Sequence, residues 1–150
     1  MTRPDPPEPH ELSRRSPFLA TLGVTLVERS ERQATIRLTV DDRHLRSRGI
    51  AHGGVIATLL DTAMGLAVSE QAPEGTFPVT AQLDTKFVRP AWDGEDVLAT
   101  GEVCHRGSQT AVARGEVRTS DGVLVATGSG TFVFVVDPAP GQERLPRRPD

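Results

Sequence analysis

From Gly53 to Ser69 the chain carries one charged residue, Asp61, in a run otherwise made of Gly, Ala, Val, Leu, Ile, Met, Thr and Ser. Its composition favours a helix, and a helix apolar on every side is a buried one. A carboxylate halfway along such a helix is costly unless it is hydrogen-bonded or put to use. The run opens with His52-Gly53-Gly54 and must stop at the turn cluster Gln71-Ala-Pro-Glu-Gly75. The remaining elements therefore have to wrap one long central helix.

Upstream, Ser16 suits an N-cap, Pro17 a first helical position and Gly23 a C-terminal cap, which predicts a short helix offering Phe18, Leu19 and Leu22 to a core. Val24–Arg29 reads as a strand. Gln33–Val40 is a clearer one, with Ala34, Ile36, Leu38 and Val40 alternating with polar residues. After the helix come four strands, roughly Val79–Val88, Glu95–Arg106, Gln109–Thr119 and Val123–Val136. They are separated by Pro90 with Asp93-Gly94, by Gly107-Ser108 and by Asp121-Gly122. Gly128 and Gly130 in the last strand predict a bend or close packing. One helix among antiparallel strands is an α+β architecture in which a curved sheet wraps the helix. The domain is expected over residues 16–136, with the proline-rich stretches 1–15 and 137–150 as disordered tails.

Seventeen basic against twenty acidic residues give a net charge of −3, without the basic excess that nucleic acid or an anionic membrane requires. No apolar run approaches a membrane span. Cys104 is the single cysteine, which excludes an intrachain disulfide and points to a reducing compartment. With no apolar leader at the N-terminus, a soluble cytoplasmic protein is expected. His10, His44, His52 and His105 show no metal-ligand spacing, so no metal is expected. Gly128-Ser129-Gly130 is not a nucleophile elbow, because Ala126 stands where the first glycine would be.

His52-Gly53-Gly54 with Asp61 nine positions after the histidine, followed by Phe87-Val88-Arg89-Pro90-Ala91, resembles the hotdog-fold acyl-CoA thioesterases of the phenylacetate-pathway (PaaI-like) type. The opening Ser16–Gly23 and the stretches His105-Arg106-Gly107 and Ala126-Thr127-Gly128 are similar too, so the resemblance spans residues 16–136. It implies a hotdog fold and hydrolysis of an acyl-CoA thioester, without metal or cofactor, in a homodimer or a dimer of dimers. It also implies Asp61 as nucleophile or general base, a backbone N–H of the turn, that of Gly53, as the carbonyl's hydrogen-bond donor, and Thr80 as an assisting hydroxyl. One position departs from the pattern. Where such sequences often have Asn, six residues before the histidine, this chain has Arg46, and it contains no Asn at all.

Elementary chemistry supports the same set. The first N–H groups of a helix lack intrahelical partners, and glycine lets a substrate approach them closely. Gly53 and Gly54 thus offer an oxyanion site, while His52 is expected to cap the turn rather than act as a base. Arg46 remains a hydrogen-bond donor at the entrance. Arg89 and the Arg106-Gly107 pair are candidates for the CoA phosphates, because guanidinium suits phosphate oxygens. Eight residues separate Gly53 from Asp61, about 12 Å along a helix. Groups acting on one carbonyl must lie within about 3–3.5 Å of it. If both act on one thioester they belong to different chains, as in a two-fold dimer with antiparallel helices. Two alternatives stay open: a CoA-ester-binding protein without turnover, and a hotdog-fold hydratase, whose familiar Asp-x-Asn-Pro-x-His element is absent.

Overall fold

In the computed structural model, Leu12 and residues 16–141 are described. Helix α1 (Pro17–Leu22) leads into strands β1 (Thr25–Arg29) and β2 (Gln33–Thr39). Two single-turn 3-10 segments, Asp42–His44 and Ser47–Gly49, precede helix α2 (Gly53–Ser69). Strands β3 (Thr76–Phe87), β4 (Asp96–Arg106), β5 (Thr110–Thr119) and β6 (Leu124–Val136) follow. The six strands form one antiparallel sheet in the order β1-β2-β4-β5-β6-β3, and α2 lies across its inner face. This is the expected α+β hotdog arrangement.

The caps read from the sequence are in place. The Ser16 hydroxyl accepts the Leu19 N–H at 3.3 Å, and Gly23 closes α1 at a φ of 79°. Leu19 and Leu22 are buried, but Phe18 is 60 % exposed and does not join the core. Leu19 and Leu22 are one turn apart and define the buried face, which turns Phe18 to the solvent side. Strand β3 starts at Thr76, earlier than expected, and runs through Pro78. A proline fits there because β3 is an edge strand, where a missing N–H breaks no ladder. Leu12 is buried and its carbonyl accepts the Ser16 N–H at 3.0 Å. At the other end Asp137 N–H donates to Gly75 O at 2.9 Å and Ala139 is buried. Packing therefore extends beyond 16–136 on both sides, and the remaining tail positions lie outside the described residues.

What brings α2 down onto the sheet is a row of glycines. Register aligns Gly101 of β4 with Gly115 of β5, and Gly115 with Gly128 of β6. A methyl group on Gly101 would overlap the Ala63 carbonyl and the Met64 nitrogen of α2. One on Gly115 would meet Leu60 and Met64 side chains at 3.2 and 3.3 Å, and one on Gly128 the Asp84 carbonyl at 2.8 Å and Leu60 at 3.1 Å. Ile56, Leu59, Leu60, Ala63, Met64, Ala67 and Val68 fill this side. Each large one contributes about 1.5–3 kcal/mol by leaving water. The helix is not buried all round, however. Thr58, Asp61, Thr62 and Gly65 are only half-buried, although Thr80 of β3 reaches Asp61 and the Phe132 ring of β6 lies beside Gly65.

Strand β3 is irregular between Thr80 and Gln82. Thr80 lies opposite Phe132, and Phe87 opposite Ala126, whose side chains are both buried towards α2. Seven residues apart in a regular strand, Thr80 and Phe87 would point to opposite faces. The extra residue Ala81 brings both to the helix side.

Gly101→Ala is expected to cost more than the about 1–3 kcal/mol usual for overpacking, since the obstacle is helix backbone. Urea denaturation measures it, with exposed Glu116→Ala, within about 0.5 kcal/mol of the parent, as the comparison.

Candidate active site

Beyond β2 the chain is tied into a fixed entrance for α2. The Asp41 carboxylate accepts the Arg43 N–H at 3.0 Å, and Asp41 N–H donates to His44 Nδ1 at 2.9 Å. His44 is buried, and its Nε2 donates to the Leu22 carbonyl at 2.7 Å, so both ring nitrogens are engaged. The His44 carbonyl in turn accepts the His52 N–H at 2.8 Å. Between them Leu45 pairs with Ala51, and Arg46 N–H donates to Ile50 O at 2.9 Å. The turn is closed by Arg48 at a φ of 74°, a left-handed conformation that costs a non-glycine residue about 1–3 kcal/mol. Sequence reading weighed His44 only as a metal ligand. One partner, Leu22, lies at the end of α1 where no local pattern announces it; the other, Asp41, is the N-cap three residues back, in a capping box that has His in the place of the usual Glu or Gln.

His52 is the N-cap of α2, as expected: its Nδ1 accepts the Gly54 N–H at 2.8 Å. The Val55 N–H turns back to the His52 carbonyl at 2.9 Å. Gly54 is thereby committed, and the donor left at the helix start is the Gly53 N–H. The Phe87 ring lies against Gly53, 3.4 Å from where a β-carbon would stand. A cleft of about 360 Å³ opens there, lined by Arg46, Gly53, Ile56, Phe87, Val88 and Arg89 among others. A larger depression, about 460 Å³, lies on the outer face of the sheet around Thr100, Glu102 and Arg114. It holds none of the candidate residues, and its Glu102 and Arg114 are already paired at 2.9 Å.

Two turns further along α2, the Thr80 hydroxyl donates to Asp61 Oδ1 at 2.7 Å. The other Asp61 oxygen has no protein partner among the described residues, yet is not a buried orphan, so it is open to the half-exposed side. The structure thus joins Asp61 with Thr80, and Gly53 with Arg46 and Arg89, as two groups about 12 Å apart along one helix. Arg89 Nη2 is 3.2 Å from Glu95 Oε1, a paired cation. Arg106 and Gly107 are not brought to the cleft. The Arg106 Nε donates to the Gln71 carbonyl at 3.1 Å, and its guanidinium lies 6.0 Å over the Phe134 ring, beyond the far end of α2. The helix of 17 residues puts about 25 Å between its two ends.

The sequence pattern of the thioesterase superfamily matches residues 48–126, more than half of the chain and the whole span from the cleft loop to β6. The chain belongs to the thioesterase superfamily. Within it, the chain is 30 % identical over 103 residues to the Escherichia coli acyl-coenzyme A thioesterase PaaI, covering 69 % of this chain and 71 % of that one. It is likewise 30 % identical to human acyl-coenzyme A thioesterase 13, covering 76 % and 82 %. The solved structure of the E. coli PaaI protein, from the phenylacetic acid degradation operon, superposes with a TM-score of 0.77 at 28 % identity, over 84 % of this chain and 89 % of that one. No helix among the described residues of this thioesterase is long and apolar enough to cross a membrane.

The entrance of this superfamily member has an acid limit. Hydrogen bonding from Arg43 holds the Asp41 carboxyl at about 2, against an ordinary 3.8. A lowered folded-state pKa adds stability above the unfolded value and loses it as pH falls through the folded one. Asp41→Asn is therefore expected to melt below the parent at pH 7. The gap closes between about pH 4 and pH 2, which thermal denaturation across that range measures.

Proposed function

We propose that this chain is an acyl-CoA thioesterase acting as a two-fold dimer. The observation that carries the reading is the Asp61 carboxylate, oriented by the Thr80 hydroxyl at 2.7 Å on the open side of α2. Family membership and the names of the relatives supply the reaction class. In this scheme the Thr80 O–H occupies one carboxylate oxygen, which leaves the other to act on water or on the thioester carbon itself. The Gly53 N–H of the second protomer holds the carbonyl oxygen as negative charge builds on it. Oxygen from water ends on the acyl carbon, the carbon–sulfur bond breaks, and the thiolate leaves as CoA with a proton. No step calls on a metal or a cofactor.

The free edge of β3 supports the dimer. Twelve residues long and largely exposed, it is interrupted by Pro78 and by the irregularity at Ala81, and the regular stretch from Gln82 to Phe87 is the part of the edge open to pairing with another strand. Antiparallel pairing of β3 with its own copy extends the sheet about a two-fold axis and sets the two α2 helices side by side and antiparallel. That arrangement answers the 12 Å separation of Gly53 and Asp61. It also carries the far end of one protomer, with Arg106 and Gly107, towards the Gly53 end of the other, where CoA phosphates would meet them. Association into a tetramer adds nothing this site needs.

Asp61→Asn is expected to lower kcat by at least about a hundredfold, in line with loss of a catalytic base. Gly53→Pro tests the donor. Proline is welcome at the first helical position, and His52 already has the extended backbone that precedes one. A loss of about 10²–10³ in kcat with the fold retained is expected for one oxyanion donor. Co-expressed Asp61→Asn and Gly53→Pro protomers should recover activity that neither has alone, because each mixed dimer contains one complete site. Thiol release from a panel of acyl-CoAs reads all three. Binding of acyl-CoA without any release would favour the non-catalytic reading, and absence of complementation would place both groups in one chain.

A further inference from the structure

The cleft beside Gly53 contains a cation that the scheme above does not use. Arg46 is exposed and lines the cleft with Ile50, Ile56, Phe87 and Val88. Among the described residues its side chain makes no hydrogen bond or ion pair. The other guanidinium in the wall, Arg89, is paired with Glu95, and no carboxylate lines the cleft. The backbone of Arg46 is held across the turn by Ile50, and the whole loop is fastened to the β3–β4 connection by Ala51 N–H to Ala91 O at 2.8 Å. A guanidinium without a partner among the described residues, carried on a tethered loop, thus lines a largely apolar cleft that reaches the Gly53 end of α2.

We infer that Arg46 selects acyl groups that end in a carboxylate, so that the substrates are half-thioesters of dicarboxylic acids with CoA. This rests on the thioesterase reading and names its substrate class. Three anions could meet Arg46, and two fit poorly. The CoA phosphates stand off from the thioester by the pantetheine arm, roughly four peptide units or about 14 Å, whereas Arg46 shares one cleft with Gly53. The oxyanion is a single atom that needs a desolvated donor, and Arg46 is exposed. A planar fork of N–H groups matches a two-oxygen anion, and a carboxylate on the far end of a short acyl chain is one. The apolar lining suits the methylenes between the two carbonyl carbons.

The test compares adipyl-CoA with hexanoyl-CoA, equal in chain length and different in the terminal charge, by thiol release from the parent, Arg46→Gln and Arg46→Lys. The expected parent preference in kcat/KM is at least about tenfold for adipyl-CoA. Arg46→Gln should remove it, with the loss falling on the adipyl substrate, and Arg46→Lys should keep part of it. The same preference is expected with acyl-pantetheine thioesters, which lack the CoA phosphates. Equal loss on both substrates would assign Arg46 to the oxyanion, and a preference that vanishes with pantetheine thioesters would assign it to phosphate. Either result overturns the inference, as does a parent that hydrolyses both substrates equally well. No release from any acyl-CoA by the parent would instead sink the thioesterase reading itself.

Discussion

Everything in this fold follows from how closely one helix lies on one sheet. Side chains on a sheet normally keep a helix backbone from touching the strands beneath it. Here Gly101, Gly115 and Gly128 form a row of bare backbone across three strands, and the Ala63–Met64 peptide of α2 rests in it. Close approach lets the sheet curl around α2. It also leaves the Asp61 side of the helix only half-buried, met by Thr80 from the edge strand β3. The buried half provides the stability, and the half-buried side carries the helix's one carboxylate. They are two faces of one constraint.

Local signals in the sequence were enough for the elements. Alternation marked β2, and the turn residues separated the four later strands. Ser16, Pro17 and Gly23 bounded α1. The glycine row was not legible in that way, since Gly101 and Gly115 each look like weak strand residues until register puts them in line. Phe18 was misplaced because a six-residue helix has too little periodicity to fix its buried face. His44 was overlooked because one of its partners, the Leu22 carbonyl, is brought to it only by folding, and the other, the Asp41 N–H three residues back, belongs to a capping box in which His stands where Glu or Gln is usual.

At the site, helix rise alone separates Gly53 from Asp61, whereas Thr80 was singled out only by the family resemblance, as an assisting hydroxyl, and its hydrogen bond to Asp61 at 2.7 Å is seen only in the structure. Arg89 and Arg106 were grouped as phosphate ligands by residue type. The structure sets one at the cleft and the other past the opposite end of α2, because a sequence records order along the helix and not which end a strand returns to. His52 was read as a cap, and its bond to Gly54 has a chemical consequence: it removes one of two neighbouring amides from competition. Of the two glycine amides at this turn, only that of Gly53 is left without the His52 ring as partner.

The extra residue in β3 has a meaning for how such a chain can vary. Thr80 addresses the carboxylate, Phe87 addresses the mouth of the cleft, and both face α2 only because Ala81 shifts the alternation between them. Replacing residues along this strand leaves that phase intact. Losing or gaining one does not, since it would turn everything on one side of the change to the opposite face. The number of residues from 80 to 87 is therefore under tighter constraint than their identities, and insertions or deletions should be rarer here than in the loops at either end of the strand.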